Sequence, residues 1–339
     1  MSIAGSRSRR LAKAVLRARE VSILIVILAV FGITTVYNHS FADPLSVQQL
    51  LVGASVMVIL AVGETLVIIT RNVDLSIGSV LGLSAYVVGD LFAHNPHLPV
   101  LLGFLAGTFV GLFCGVINGA IVAIARVPSL VVTLGTLYAI RGIDAIVVNG
   151  IQINPSSIPS SFIGIGYETI IGIPWIFVIA SVLVLVVGYV MRTFRPARDL
   201  YAIGSDPDAA LLAGVPARRR IFFTFVISGG IAGFAGGLWL AEFATVSSVA
   251  GLGYELLVVA AVVVGGVAIF GGSGTVLGAG LGAILLNTIN QALVAARISA
   301  FWDEALAGAL LITAIAFDRY LFLRRERALR VRMAARVTT

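Results

Sequence analysis

The chain has 339 residues, of which 59% are hydrophobic and only 12% charged, and its mean hydropathy is +1.06. Soluble globular domains are about half apolar and about a quarter charged, so this composition excludes that class and points to a polytopic helical membrane protein. The net charge of +7 does not indicate nucleic-acid binding, because the basic residues gather in juxtamembrane clusters before residue 20, between Arg192 and Arg220, and from Arg319 onward.

At about 20 residues per span plus short loops, this length allows roughly ten helices and no large domain outside the membrane. The expected fold is therefore all-α, with about ten transmembrane helices. Apolar runs place spans at about 21–37, 48–70, 77–93, 98–125, 129–148, 172–191, 221–241, 255–271, 275–296 and 301–321. The first follows a basic segment, 1–20, and no small-x-small cleavage site closes it, so it reads as a retained span. The third, interrupted by Gly78, Gly82 and Gly89, reads either as a full span or as a buried re-entrant segment. Residues 21–323 form a single transmembrane domain, with a cytoplasmic loop at 192–220 and a basic tail at 324–339.

Orientation follows from the positive-inside rule. With a cytoplasmic N-terminus, the inner segments hold six Lys/Arg before residue 20, Arg71, Arg126, six from Arg192 to Arg220 and seven from Arg319 on. Only Arg141 and Arg297 fall elsewhere, and the outer loops 38–47, 94–97, 149–171 and 242–254 carry none. Both termini are expected in the cytoplasm.

Four stretches carry motifs. In TRNVDLSIGSVLGLSAY (70–86), Asp74 can cap the helix that follows, Ser76 lies in its first turn, and Gly78 and Gly82 offer a small packing face. In RVPSLVVTLGTLYAIRGIDAI (126–146), Thr133, Thr136, Arg141 and Asp144 place polarity inside a span. Arg141 and Asp144, three residues apart, are expected to pair, and such groups either fix helix packing or line a pathway. In GSDPDAALLAGVPARRR (204–220), Asp206 caps a short helix with Pro207 first and Asp208 in its opening turn. Ala209, Ala210, Leu211 and Leu212 carry it on through Ala213, and Gly214 with Pro216 ends it. Two leucines on a cytoplasmic surface call for a partner or the bilayer interface. In ELLVVAAVVVGGVAIFGGSGTVLGAGLGAILLNTINQAL (255–293), Gly265, Gly266, Gly271, Gly272 and Gly274 are expected to form a tight cytoplasmic reversal. This GGSG lacks the Lys-Ser/Thr of a phosphate loop. Asn287, Asn290 and Gln291 make a polar stripe that serves interhelical hydrogen bonds as readily as a substrate path.

Enzymatic patterns are missing. His39, His94 and His97 have no metal-ligand spacing, no nucleophile elbow occurs, and Cys114 reads as a small buried apolar residue. No catalytic residue, metal or cofactor is expected.

The four stretches, in this order, resemble the ribose-type sugar permeases of bacterial ABC importers over nearly the whole chain from about residue 45. The resemblance implies a multi-pass protein of the bacterial inner membrane that pairs with a second permease and binds cytosolic ATPase subunits. It also implies that an external binding protein delivers a monosaccharide or sugar-like solute, while ATP hydrolysis belongs to the separate subunit. Asp206 to Gly214 would then be the coupling helix that docks on the ATPase. RNVDLS in place of the common GGIDLS, and the C-terminal ARISAFWDEALAGALLITAIAFDRYL, look closer to the branch importing rhamnose or autoinducer-2. In that branch two different permeases usually pair. Polarity and depth mark Thr133, Thr136, Arg141 and Asn287 as pathway candidates. Glu64, inside the second span, is a departure from the family pattern. The alternative class is an ion-gradient-driven transporter or channel, for which Glu64, Asp90, Arg141 and Asp144 would be the ionisable candidates.

Overall fold

A computed structural model describes the backbone from Ile3 to Ser299 and scattered positions from Trp302 to Arg319, with side chains from Glu20 onward. The expected tenth span, 301–321, falls largely outside the described residues, and the tail 324–339 and the side chains of the first segment fall outside them.

Apolar composition and internal hydrogen bonding make helices of nearly every expected span. These are α1 (Ile3–Tyr37), α2 (Pro44–Ile69), α3 (Ile77–His94), α4 (Val100–Gly119, continued by a π turn at Ala120–Ile124) and α5 (Ser129–Val148). Then come α6 (Ser160–Tyr167), the hairpin β1 (Thr169–Ile170) and β2 (Ile173–Pro174), and α7 (Trp175–Thr193). They are followed by α8 (Arg195–Ser205), α9 (Pro207–Leu212), α10 (Ala217–Phe243), α11 (Tyr254–Val264) and α12 (Val276–Ala295). Eight of the described helices are long and apolar enough to cross a membrane. The third expected span is among them: α3 has 18 residues, about 27 Å of helix.

The expected eighth span is different. Only 11 residues, Tyr254–Val264, are helical there, about 16 Å and too short to cross a core of about 30 Å. The stretch 242–254, expected as an outer loop, folds back along α3 instead. Val246 pairs with Ile153 and packs at Gly89, while the carbonyls of Ala250 and Gly251 lie against Gly82 and Gly78. A side chain at either glycine would collide with that backbone. Gly251 and Gly253 take positive φ, +66° and +85°, to turn the returning chain into α11. Non-helical backbone at this depth is tolerated because it is buried in protein.

Helix α2 is the axis of the bundle, with 89% of its apolar window buried, packed chiefly against α7, α10, α11 and α12. Helices α4 and α10 make the closest approach. A Cβ on Gly111 would stand 2.7 Å from the backbone nitrogen of Gly233 and 2.8 Å from its Cα, and Gly115 abuts Phe225 and Val226 in the same way. Small residues let the two backbones touch, which is how helices associate where lipid offers no hydrophobic drive. At the end opposite α8 and α9, Phe92, Phe104 and Phe162 cluster with centroids 4.7 and 5.0 Å apart, seating α6 over α3 and α4. Cys114 is buried and unbridged.

Candidate functional site

The stretch after α7 forms a small surface platform. Pro196 occupies the first turn of α8, and an ion pair from Arg220 to Asp199 (2.9 Å) ties α8 to the base of α10. Asp206 then caps α9, its Oδ1 accepting from the amides of Asp208 (3.1 Å) and Ala209 (3.0 Å), with Pro207 first and Gly214 at φ +75° just past the end. Leu211 and Leu212 face outward, 67% and 90% exposed, whereas Ala210 is buried against the platform. The outward face of α9 is therefore narrower than its sequence, and Ala210 does not contribute to it.

Behind α9 three segments meet. The Arg71 side chain, on a residue at φ +66°, donates from Nε to the carbonyl of Gly204 (2.6 Å) and from Nη2 to that of Ser205 (2.7 Å). These are the last residues of α8, immediately before the α9 cap. The Gly272 amide donates to the carbonyl of Ile69 at the end of α2 (2.9 Å), and the Tyr201 hydroxyl donates to Gly274 (3.1 Å). Gly271 and Gly272 sit at φ +80° and +75°, and a Cβ on either would strike Arg71 or Ser205. The GGSG reversal is thus a socket for the α2 end and the α8–α9 joint. Arg71→Ala removes two hydrogen bonds from a charged donor, each worth about 1.5–3 kcal/mol. It is expected to lower uptake at least about tenfold at unchanged membrane abundance, read by solute uptake beside an immunoblot.

From this junction the turn 70–76 leads into a buried polar network. Glu64, fully buried in α2, accepts from the Asp74 amide through Oε1 (3.0 Å). Asp74 Oδ1 accepts from the amide (3.0 Å) and hydroxyl (2.6 Å) of Ser76 and so closes the turn before α3, whose N-cap position is occupied by Ser76 and not, as expected, by Asp74. Asn118 donates to Ser76 Oγ (2.8 Å), Ser129 Oγ accepts from the Val73 amide (3.2 Å), and Thr133 donates to the carbonyls of Val73 (3.2 Å) and Ser129 (2.9 Å). Burial pushes the Asp74 carboxyl from its ordinary 3.8 up to about 6, against the pull of the two Ser76 bonds. A raised value means that the fold favours the protonated acid. This contribution to stability is full below pH 3.8 and is lost as pH rises through about 6. The thermal midpoint in detergent is expected to fall between pH 4.5 and 7.5, and Asp74→Asn, which keeps the acceptor, should flatten that fall.

The pathway candidates separate. Thr133 holds the 70–76 turn as described, and Thr136, half-buried, donates to the Thr133 carbonyl (3.3 Å). Asn287 donates to the Leu50 carbonyl (2.9 Å), tying α12 to α2, and borders a cavity of ≈ 170 Å³ with Met57, Tyr254 and Asn290. The expected ion pair between Arg141 and Asp144 does not form: no bridge joins them within 4.0 Å. Arg141 donates from Nη1 to the Ala250 carbonyl of the returning segment. The reason is tertiary, since a bare carbonyl at the turn before α11 stands nearer the guanidinium than the carboxylate one helical turn along. Asp144, both of whose buried oxygens lack a hydrogen-bond partner, and buried Glu255 Oε2 complete a polar cluster between α3, α5 and α11. Gly78 borders Glu255 and Gly82 borders Arg141. Sequence reasoning reached Arg141 and Asp144 by their charge at depth, but it missed Glu255, which reads as a loop-edge residue until 244–253 folds inward. Among the described residues no group of three or more His, Cys, Asp or Glu is placed to hold a metal.

A family described as branched-chain amino acid transport system permease component matches residues 46–315. The chain is 33% identical over 321 residues to the autoinducer 2 import system permease protein LsrC of Enterobacter sp. strain 638, covering 94% of this chain and 92% of that one. It is likewise 33% identical to the LsrC protein of Photorhabdus luminescens, at 88% and 89% coverage. The LsrC protein of Yersinia enterocolitica is 32% identical, at 95% and 88%. No solved structure gives a significant match.

Proposed function

The chain belongs to the family of branched-chain-type transport permease components, multi-pass proteins of the inner membrane, and from that premise we propose that it is the translocating subunit of an ATP-driven importer for autoinducer-2 or a closely related sugar-like solute. The substrate class rests on the LsrC relatives, whose similarity runs the length of the chain. The basic end of the bundle, with α8, α9 and the GGSG reversal, faces the cytoplasm, as the distribution of Lys and Arg favours. The chain itself performs no covalent chemistry.

One observation carries the coupling role: a capped, rigidly anchored helix that turns two leucines to solvent at the basic end. Soluble surfaces rarely leave such a pair uncovered, and an ATPase groove is the partner that covers it in this reading. Arg71 makes the helix a lever. Its fork holds the α8–α9 joint, so movement of α9 is passed to the turn 70–76, and from there through Glu64, Asp74 and Thr133 to α2, α3 and α5. These are packed elements that shift as bodies, the usual means by which a small displacement becomes alternating access. On this reading Arg141, Asp144 and Glu255 face the solute, because hydroxyl groups of a small polyol would satisfy their unpartnered atoms. A second permease, identical or different, completes the path, and an external binding protein supplies the solute.

The test is capture. In a Cys114→Ala background, Leu212→Cys with a short thiol crosslinker in native membranes is expected to trap an ATPase subunit. Autoinducer-2 uptake by the same cells should require ATP and persist with an uncoupler. Uptake that collapses with the uncoupler, with no ATPase captured, would replace this proposal by ion-coupled transport.

A further inference from the structure

Two depressions on the lipid-facing side of the bundle run into one another. One, bordered by Val58, Phe177 and Ile284, shares Val184, Leu185 and Leu277 with the second, which continues past Gly188 to Arg192, Tyr201, Thr275 and Glu20. Together they make one groove between α7 and α12 that ends beneath the inner end of α1. From Val184 to Arg192 the groove follows about 12 Å of α7, close to the roughly 15 Å of hydrocarbon in one leaflet. Gly188 keeps it open, since a Cβ there meets nothing within 4 Å, and Leu185 and Leu277 line it with exposed apolar surface.

Its end at the basic side is charged with both signs. Thr275 donates to Glu20 Oε1 (2.7 Å) and accepts from the Gly278 amide (2.9 Å), which holds the carboxylate at the mouth. Across from it Arg192 adjoins Tyr201, whose hydroxyl is fixed on Gly274 and whose ionisation burial opposes and Arg192 favours. No ion pair joins Glu20 to Arg192 among the described residues. A carboxylate and a guanidinium that do not pair with each other therefore border the same end of the groove, beside its apolar trough.

We propose that this groove seats one glycerophospholipid with a phosphoethanolamine headgroup, its acyl chain along Val184, Leu185, Gly188 and Leu277, its phosphate on Arg192 and its ammonium on Glu20. The charge pattern selects the headgroup. A primary ammonium donates hydrogen bonds to a carboxylate, a quaternary choline has no N–H to give, and an anionic glycerol headgroup brings nothing that Glu20 attracts. The lipid also has a mechanical consequence. Helix α1 is only 11% buried over its apolar window and touches the bundle mainly through α12. A lipid wedged between α1 and α7 fills the gap beside it.

The experiment uses the full-length permease, purified in mild detergent and offered equimolar phosphatidylethanolamine, phosphatidylcholine and phosphatidylglycerol, with retained lipid counted by native mass spectrometry. Wild type is expected to keep one phosphatidylethanolamine in preference to the other two. Glu20→Gln, a change at the groove mouth, should weaken its retention about tenfold, the loss of one charge-assisted contact. Gly188→Leu, whose side chain enters the open trough, should remove the bound lipid, with gel filtration verifying that each variant is folded. Equal retention of the three lipids by wild type, or an undiminished preference in folded Glu20→Gln, would overturn the proposal. So would a folded Gly188→Leu that keeps its lipid.

Discussion

Leu211→Asp combined with Leu212→Asp is expected to abolish uptake, by at least about a hundredfold, while the protein inserts and folds as before. Both side chains are mostly exposed, Leu212 almost fully, so the permease itself loses little packing. On the proposed coupling role, each leucine contributes about 1.5–3 kcal/mol of apolar burial in the ATPase groove, and losing two costs two or more decades of affinity. The new carboxylates would also join Asp206 and Asp208 on one short helix, adding desolvation and repulsion at the interface. Uptake would be read in cells, abundance by immunoblot, and ATPase association by co-purification. Normal uptake in the double variant, with the ATPase still co-purifying, would remove α9 from the coupling path. Ala210→Ser offers an internal contrast: a hydroxyl placed in the platform perturbs packing behind α9 and leaves the leucine face intact.

The second large effect concerns the joint between α4 and α10. Gly111→Val places a branched side chain where the Gly233 backbone already stands 2.7–2.8 Å from a virtual Cβ. Neither backbone can yield without separating the helices along Gly107, Gly111 and Gly115. Overpacking ordinarily costs about 1–3 kcal/mol, and contact with main chain on both sides puts this site beyond that range. Measured against a total stability of about 5–15 kcal/mol, the variant is expected to yield little folded protein. Gly135→Val on α5, where nothing lies within 4 Å, should be recovered like wild type. Fluorescence-detected gel filtration of detergent extracts reads both. A well-folded Gly111→Val would mean that α4 and α10 do not pack as described.

Legibility in the sequence followed the range of the forces involved. Hydropathy over about 20 residues decides whether a segment enters the bilayer, so the long helices were readable. The third segment, with its three glycines, stayed open between a full span and a re-entrant one, and the 18 helical residues of α3 decide it. The α9 helix was equally readable, because Asp206, Pro207 and Gly214 act within four residues of the backbone they govern. The positions of Lys and Arg set an expectation for orientation without any contact being known.

What lies beyond such short range was decided by packing. Residues 242–254 look like an outer loop, because their own composition carries no sign of the room that Gly78 and Gly82 leave beside α3. That return in turn draws Arg141 to the Ala250 carbonyl and away from its helical neighbour Asp144, and it brings Glu255 into the membrane-depth cluster. Glu64 was visible as an oddity, but its bond to the Asp74 amide depends on where α2 ends and how the 70–76 turn doubles back. Arg71 was visible as a departure from GGIDLS, and only the approach of α8 gives its guanidinium two carbonyls to hold. By itself the sequence determined that the chain lives in a membrane, where most of its long apolar helices run, and that one capped helix carries leucines at the basic end, since solvation and capping are local. Which polar groups meet inside the bundle was decided by the tertiary structure, because a hydrogen bond between distant segments exists only where close packing of small residues lets their backbones approach.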